Sequence, residues 1–475
     1  MQGVDSGFPD AGIDAWIEGQ MAAYEQILGD FVAIPSIAVP GVDGYPYGKP
    51  CADALAFLAG HMQEMELQVE DIDSQVVIGT LAGTEQSPVI GIACHADVVP
   101  VSGGWEKDPF TMWRKGDWFV GRGTTDNKGA TIACLFALKY LKEHYPDFGS
   151  TVRLYVGSAE EIGMPDMDYY ADTHPVYPDF TLVPDAGFPG VYGEKGNIKI
   201  VLKADIPQGS IRYLQAGTGA SVIDYAEVLC ETGSLMVHGN GECLVESGSD
   251  GIKVSSKGLA RHAAMPEGGK DALHSVCHFL STCLEETKAA AVFQELSVLG
   301  ADFSGTEFGI ACADDLSGPL TCVMTKAKYD GINPLYIWMN IRYPITVDYQ
   351  DLERKIMSRL QRSPFSLDSL VHSPSTQVPL SPVIYGLADI ANNVYGTHDE
   401  PYTMSGGTYA RKFPNAIAYG MGIPSLNHIP PFPEGQGRAH QPNESVFIPR
   451  MKNGMKIYIQ ALHYLDKVLK RKSYD

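Results

Sequence analysis

The order of short apolar strands and helices is the feature that most constrains the fold of this chain. Apolar runs of strand length, such as Val76–Leu81 and Val89–Cys94, are followed by segments with helical spacing, such as Ala130–Leu141. Strands that alternate with helices in this way are typical of an α/β layer architecture. The alternation returns near the end of the chain, where we predict a helix over Val383–Tyr395.

The middle of the chain has a different pattern. Longer, half-exposed strands cluster there, for example Leu320–Tyr329 and Leu335–Tyr343. Helical spacing predicts helices at Ile223–Leu235 and Ala272–Glu286. Because these strands cluster rather than alternate with helices, the middle part is typical of an α+β domain with an antiparallel sheet.

A chain of 475 residues is long enough for two to four domains of roughly 100–200 residues each. We predict an α/β fold class in which one domain is interrupted by another. The outer domain would be an α/β/α sandwich with a mixed sheet, built from residues 1–193 and 379–475, and the inserted α+β domain would comprise residues 194–378.

The net charge limits the classes of partner. With 35 Lys and Arg residues against 57 Asp and Glu residues, the formal net charge is −22. A field of this sign repels phosphate backbones and anionic lipid, so we expect neither nucleic acid nor a membrane as partner. The nine cysteines are scattered and form no C-x-x-C pair, and Met1–Asp10 has no pattern of a secretory signal. We therefore expect a cytoplasmic protein without a disulfide framework.

Acidic residues and histidines stand just after the ends of predicted strands. They are His95 and Asp97, the pair Glu160 and Glu161, and Asp185, while Asp126 precedes a predicted helix. Ligands of open α/β sheets bind at the carboxyl ends of the strands, so we expect these side chains to converge. Imidazoles and carboxylates without thiolates suit zinc, manganese or cobalt. Two divalent ions that share one carboxylate would neutralise the crowded acids and activate a water for hydrolysis.

Each of these residues also has an ordinary structural explanation when it is taken alone. His95 could be a buried or surface histidine, and the Glu160-Glu161 pair could lie in a solvated turn. Asp126 could be a helix cap, because aspartate is favoured at that position. Their order and spacing along the chain are what favour a common site.

Five motifs in this order resemble the di-zinc exopeptidase family of aminoacylase, carnosinase, succinyl-diaminopimelate desuccinylase and PepV-type dipeptidases. The motifs are His95-Ala96-Asp97, Gly121-Arg122-Gly123-Thr124-Thr125-Asp126-Asn127-Lys128-Gly129, Glu160-Glu161-Ile162-Gly163, Pro184-Asp185-Ala186 and His440-Gln441-Pro442-Asn443-Glu444. The resemblance covers nearly the whole chain, from about Ile13 to the last helix.

The resemblance implies a site for two divalent metal ions. His95 and Asp185 would hold one ion, Glu161 and His440 would hold the other, and Asp126 would bridge both. Zinc is the expected metal, with manganese and cobalt as alternatives. The resemblance also implies a cis peptide bond after Asp126.

Two further acids receive roles from the resemblance. Asp97 would orient His95 and select its tautomer, as carboxylates near metal-binding histidines commonly do. Glu160 would be the general base that activates the metal-bridging water. Neighbouring side chains on an extended segment point in opposite directions, so we expect such a segment to let Glu160 and Glu161 serve substrate and metal separately.

The inserted domain would act as a lid in this family. His262, in Ala260–Pro266, would stabilise the oxyanion, and Arg342 would hold the C-terminal carboxylate of the substrate. The backbone of the Ser405–Arg411 loop, which contains Gly406, Gly407 and Arg411, would meet the substrate. Taken alone, His262 could equally be a surface residue, Arg342 a solvated strand-edge residue, and the glycines turn residues.

One departure from the PepV-type pattern concerns Ala220, which stands where those enzymes carry a lid asparagine. The resemblance implies a metal-dependent dipeptidase that hydrolyses the amide bond of small peptides. An N-acyl amino acid deacylase with the same site is the alternative within enzymes, and a two-metal phosphoesterase and a non-catalytic peptide-binding relative are further ones. An enlarged lid favours a monomer, and a homodimer stays open.

Overall fold

The structure is a computed structural model that describes residues 12–42, 44–219, 221–235, 242–426 and 428–472. The chain forms two compact units. The first unit comprises the chain up to Tyr192, Val378–Tyr402 and the chain from Gly407, and the second comprises Gly193–Gln377 and Thr403–Gly406. The assignment of a catalytic domain and a lid stays a prediction, and Ala220 lies outside the described residues.

Helices and strands follow one another through both units. The α-helices in the described residues are α1 Ile13–Val32, α2 Lys49–Glu64, α3 Lys128–His144, α4 Pro165–Thr173, α5 Ala272–Cys283, α6 Thr287–Leu299, α7 Tyr349–Leu360, α8 Pro382–Tyr395 and α9 Ile448–Lys472. The strands are β1 Gln68–Ile72, β2 Val76–Leu81, β3 Val89–His95, β4 Trp113–Lys115, β5 Trp118–Val120, β6 Thr151–Gly157, β7 Phe180–Val183, β8 Ala186–Gly187, β9 Val191–Glu194, β10 Gly196–Ala204, β11 Ile211–Gly217, β12 Tyr225–Cys230, β13 Leu244–Gly248, β14 Gly251–Lys257, β15 Ala313–Asp314, β16 Gly318–Pro319, β17 Thr321–Tyr329, β18 Leu335–Tyr343, β19 Ser366–Ser373, β20 Thr376–Gln377, β21 Tyr402–Met404, β22 Ala416–Ala418, β23 Met421–Gly422 and β24 Ser445–Phe447.

The main sheet of the first unit is mixed, as the sequence predicts. Its strands lie in the order β1, β2, β6, β3, β7, β22 and β9. The central strands β6, β3, β7 and β22 run parallel to their neighbours in that group, while β1 and β2 are antiparallel. The carboxyl ends of β3, β6 and β7 therefore lie at one edge of the sheet, where the loops that follow them can meet.

Burial explains why these segments form the core. Strand β3 is buried along almost its whole length because parallel strands flank it on both sides. Helix α3 buries most of its residues between Lys128 and Leu141, and α1 buries Ile17, Tyr24 and Leu28 at helical spacing. The predicted α/β class is confirmed for this unit, and the helices and sheet together hold the loops that carry the acidic residues.

In its described residues, the second unit contains an antiparallel sheet of eight strands, in the order β13, β14, β12, β11, β17, β18, β10 and β19. This arrangement confirms the inserted α+β part. The predicted helix at Ile223–Leu235 is wrong, because this segment contains strand β12. Its side chains are alternately exposed or half-buried and buried, and β11 and β14 pair with it on either side. Pairing with two neighbours outweighs the local helical spacing.

No disulfide joins the cysteines that the structure describes. Within the same residues, every helix is too short or too polar to cross a bilayer.

Candidate metal centre

Five side chains that the sequence singles out as metal ligands meet in the first unit. They form two groups that share Asp126. Group A consists of His95, Asp126 and Asp185, and group B consists of Asp126, Glu161 and His440. Within each group the candidate ligand atoms lie within 4.8 Å of one another. Their grouping is the same as the one that the resemblance implies.

Asp126 faces the two groups with different oxygens. Its Oδ1 lies 3.0 Å from Nε2 of His95, and its Oδ2 lies 3.0 Å from Nε2 of His440. Glu161 Oε1 is 3.0 Å from the same atom of His440, and Asp185 Oδ2 is 3.7 Å from Nε2 of His95. Ligands of a tetrahedral ion at about 2.0–2.2 Å lie roughly 3.3–3.6 Å apart, so these separations of 3.0–3.7 Å lie within a few tenths of an ångström of those expected around one ion per group.

The electrostatics of the cluster also fit a pair of cations. Burial and the charge of Asp126 raise the pKa of Glu161 to about 7 and that of Asp185 to about 6, and the neighbouring histidines only partly oppose this. Burial raises the pKa of Glu160 well above its ordinary value, with further repulsion from Asp185. Divalent cations would relieve the repulsion among these carboxylates. The donor set of imidazoles and carboxylates is therefore suited to a metal pair.

Asp97 connects the two loops that carry the ligands. Its carboxylate oxygens accept from the backbone N–H groups of Glu160 and Glu161, both at 3.0 Å. One of them also lies 3.3 Å from Nδ1 of His95, and the carbonyl oxygen of Asp97 is 3.0 Å from that nitrogen. A carbonyl can only accept, so Nδ1 carries a proton and Nε2 would offer its lone pair to a bound metal ion.

The loop that carries Asp126 depends on a buried ion pair. Arg122 donates to Oε2 of Glu444 at 2.6 Å, and both side chains are almost wholly buried. Oε1 of Glu444 accepts from three backbone N–H groups of the same loop, those of Gly123, Thr125 and Asp126. Both residues belong to the recognised motifs, but nothing in the spacing indicates that side chains 322 positions apart would pair.

Asn127, the residue after Asp126, orients the ligand Asp185. The peptide bond Asp126–Asn127 is cis, in agreement with the resemblance. Nδ2 of Asn127 donates to the carbonyl oxygen of Pro184 at 2.6 Å and to Oδ1 of Asp185 at 3.2 Å. The amide side chain therefore fixes the loop that carries Asp185.

Comparison with known proteins identifies the family. The family model described as Peptidase family M20/M25/M40 matches residues 91–464. The chain belongs to this peptidase family. The resemblance seen in the sequence is confirmed, and so is the prediction of a metallopeptidase.

This M20 peptidase is similar in sequence to a curated protein and similar in fold to two solved structures. The chain is 28% identical to a putative dipeptidase of Staphylococcus epidermidis, over 95% of this chain and 99% of that protein. Human carnosine dipeptidase 1 has a similar fold, with a TM-score of 0.62 and 14% identity over 96% of this chain and 98% of that one. The di-peptidase Dug1p from Saccharomyces cerevisiae has a TM-score of 0.59 and 14% identity, over 97% and 99% of the two chains.

Glu160 of this M20 peptidase is buried beside the ligands. The expectation of an extended segment here is wrong, because Glu160 and Glu161 lie in a turn that is closed by the N–H of Gly163 donating to the carbonyl oxygen of Glu160. The two amides of the turn bind Asp97, so the turn, rather than strand alternation, determines how the adjacent acids are presented. The role of Glu160 as the base stays a prediction.

A second buried network supports the same turn, and sequence reasoning missed it. Oδ2 of Asp166 accepts from the N–H groups of Ser158 and Ala159 at 2.7 and 2.9 Å, and from the hydroxyl of Tyr409 at 2.5 Å. The ring of Tyr409 meets the imidazole of His95 edge-on, with 6.3 Å between the ring centres. Tyr409 lies in the Ser405–Arg411 loop. The resemblance of this loop to the family was the feature of the sequence that could have placed Tyr409 near the site.

The predicted substrate-binding residues are divided between the two units. Gly407 and Arg411 lie in the first unit, where the guanidinium of Arg411 packs against Gly407 so closely that a Cβ there would be 2.4 Å from it. His262, Arg342 and Gly406 lie in the second unit. Their contribution to the site stays a prediction.

Within the second unit, both predicted lid side chains are held in defined positions. The backbone N–H of Ala264 donates to Nδ1 of His262 at 3.2 Å, so a neutral His262 carries its proton on Nε2. Arg342 donates from Nε to Oδ1 of Asn340 at 2.9 Å and from a terminal nitrogen to the carbonyl oxygen of Ser405 at 3.1 Å. His262 is exposed and Arg342 is half-buried, so each has surface available for a ligand.

Proposed function

We propose that this M20 peptidase is a metal-dependent dipeptidase. The observation that carries the proposal is the position of Asp126, which offers one oxygen to each of two ligand groups while the buried carboxylate of Glu160 lies beside them. Metal pairs that share a carboxylate are used for hydrolysis of amide bonds. The curated relative from Staphylococcus epidermidis is named as a putative dipeptidase, which favours this activity over deacylation.

His95 and Asp185 would hold one ion, Glu161 and His440 the other, and Asp126 both. Zinc is the metal that we propose, because two imidazoles with three carboxylates suit it, and manganese or cobalt would be accepted by the same donors. When bound, the cations would polarise the scissile carbonyl and the attacking water. The scattered cysteines support a cytoplasmic location, which stays a prediction.

Glu160 would remove the proton of the attacking water and return it to the leaving amine. Its burial next to the ligands and the Asp97-bound turn would keep it in reach of that water. His262 would donate from Nε2 to the oxygen of the tetrahedral intermediate. Arg342 would bind the C-terminal carboxylate of the dipeptide, since its planar guanidinium matches a carboxylate with two parallel hydrogen bonds.

A substrate panel tests the proposed activity. Free dipeptides, acetylated amino acids and succinylated amino acids are compared in the presence of zinc or manganese, with the metal content of the protein measured in parallel. We expect hydrolysis of the dipeptides and about two metal ions per chain. Faster hydrolysis of the acylated amino acids would replace the dipeptidase proposal with a deacylase.

The E160Q variant tests the role of the base. Glutamine keeps the size of the side chain but cannot take a proton. We expect kcat to fall by about 10²–10⁴-fold, the usual contribution of a general base, while the metal content stays that of the wild type. Normal turnover by E160Q would overturn the assignment, and a loss of metal would show that Glu160 acts as a ligand.

A further inference from the structure

A cavity of about 310 Å³ in the first unit adjoins the candidate metal centre. Its wall includes Asp126 and Asp185, and it also includes three basic side chains, His428, Arg438 and Arg450. A second cavity of about 290 Å³ is lined by the same three basic side chains. Positively charged side chains repel metal cations, so these three residues would not help to bind the metal ions. Their presence in the cavity wall indicates a ligand of negative charge.

Arg450 contributes to the walls of both cavities. It lies in the first turn of α9, and its guanidinium packs against Gly422 so closely that a Cβ there would be 2.6 Å from Cζ. Its Nε is buried and has no hydrogen-bond partner in the described part of the chain. Among the same residues, no carboxylate forms an ion pair with it.

The described side chains around Arg450 include no carboxylate that would neutralise its positive charge. The side chains that act on it electrostatically are Tyr395, Tyr402, Tyr458 and a second cation, Arg438. Burial lowers the pKa of Arg450, and the positive charge of Arg438 adds to this effect. Arg450 as a whole is half-buried, and none of the described carboxylates pairs with its charge, so it is suited to an anionic ligand that enters the cavity.

We propose that Arg450, together with Arg438, forms a specificity subsite for a carboxylate side chain of the substrate. This inference rests on the proposed dipeptidase function. The cavity shares its wall with Asp126 and Asp185, so a peptide bound at the metal centre has a side chain within reach of it. Arg342, in the other unit, is already assigned to the C-terminal carboxylate. The substrate class is therefore dipeptides that contain aspartate or glutamate.

The test compares each acidic dipeptide with its neutral amide counterpart. Wild-type protein is assayed with Ala-Glu against Ala-Gln and with Glu-Ala against Gln-Ala, so that both substrate positions are covered. We expect the acidic member of at least one pair to have a kcat/KM at least about tenfold higher. The R450M variant should lose this preference, so that it cleaves the acidic and amide members of each pair with kcat/KM values within about twofold of each other. The lysine variant R450K should retain part of the preference, because it keeps the charge without the planar fork.

R114M is the matched control, because Arg114 is an exposed arginine of β4 in the same unit, outside both cavities. It should keep the preference. Equal rates on acidic and amide peptides by the wild type, or a preference that survives R450M, would overturn the subsite while the dipeptidase function stands.

If no dipeptide is cleaved, the proposed function fails, and calorimetry decides the subsite separately. In that case tighter binding of L-glutamate than of L-glutamine by the wild type supports the subsite, and equal or absent binding rejects it.

Discussion

Groups A and B share Asp126 but differ in how the protein encloses them. The side chain of His95, in group A, has no exposed surface, whereas 42% of the His440 side chain in group B is exposed. In group A, His95 is oriented by Asp97, and Asp185 receives a hydrogen bond from Asn127. In group B, Nδ1 of His440 forms no hydrogen bond with any described residue, and His440 itself has a left-handed backbone conformation with φ of 65°.

The difference indicates that the two ends of the centre are built for different tasks. Buried ligands with supporting hydrogen bonds are pre-organised and bind tightly, because little order is lost when the metal enters. An exposed histidine without such support binds more weakly and leaves room for a substrate or water to approach. We therefore expect group A to bind its ion more tightly than group B.

The D126A variant should have the largest effect, because it removes the ligand that both groups share. We expect both ions to be lost and activity to fall by more than the roughly 10²–10⁴-fold that loss of a base alone would produce. Elemental analysis after dialysis and a dipeptide assay measure the two effects. D30A, at an exposed aspartate of α1, is the control and should bind two ions. Two retained ions in D126A would remove Asp126 from the centre.

The H440A and H95A variants test the inequality of the groups directly. H440A should keep about one ion per chain after dialysis, held by group A, with activity reduced by about 10³-fold. H95A should lose the tighter ion. Titration of the metal-free proteins with zinc, followed by calorimetry, gives the number and affinity of the remaining sites. Equal affinities in the two variants would contradict the comparison.

Asp271, the N-cap residue of α5, is a buried carboxyl group that is not a candidate metal ligand. Burial raises the pKa of Asp271 to about 7, against two N–H donors from Leu273 and His274. Its pKa in the unfolded chain is about 3.9, so the folded protein binds an additional proton between about pH 4 and pH 7. Stability from this group is therefore complete below pH 4 and is lost as the pH rises to 7.

The D271N variant keeps a capping oxygen but does not titrate. We expect the difference in unfolding free energy between variant and wild type to change by up to about 4 kcal/mol between pH 4 and pH 7, in favour of the variant at the higher pH. Urea unfolding at several pH values measures this difference. A difference that is constant with pH would show that folding does not raise the pKa of Asp271.

The D97N variant should have the smallest effect. The amide keeps one acceptor oxygen, so one of the bonds to the Glu160–Glu161 turn is lost while the carbonyl bond to His95 Nδ1 stays. Loss of a supporting hydrogen bond of this kind lowers metal affinity or activity by about 10–100-fold. Zinc titration and kcat/KM measure the two quantities. A larger effect on group B than on group A would show that Asp97 acts mainly through the turn.

Local patterns in the sequence were sufficient for the fold class and for the candidate ligands. Apolar runs such as Val89–Cys94 predict central strands because burial on both faces requires continuous apolar residues. The ligand residues stand directly after such strands, so their convergence follows from parallel pairing. The helix predicted at Ile223–Leu235 failed because strand pairing on both sides, which no local pattern contains, decided the conformation of that segment.

The sequence by itself determined which side chains are the candidate ligands, and the tertiary structure decided what holds them in place. Arg122 and Glu444 are 322 positions apart, and Asp166 and Tyr409 are 243 positions apart. Arg450 likewise has no carboxylate partner among the described residues because of which side chains the folded chain brings around it. Hydrogen bonds and unpaired charges of this kind depend on distances in space, which spacing along the chain does not contain, because they are produced by the packing of the whole unit.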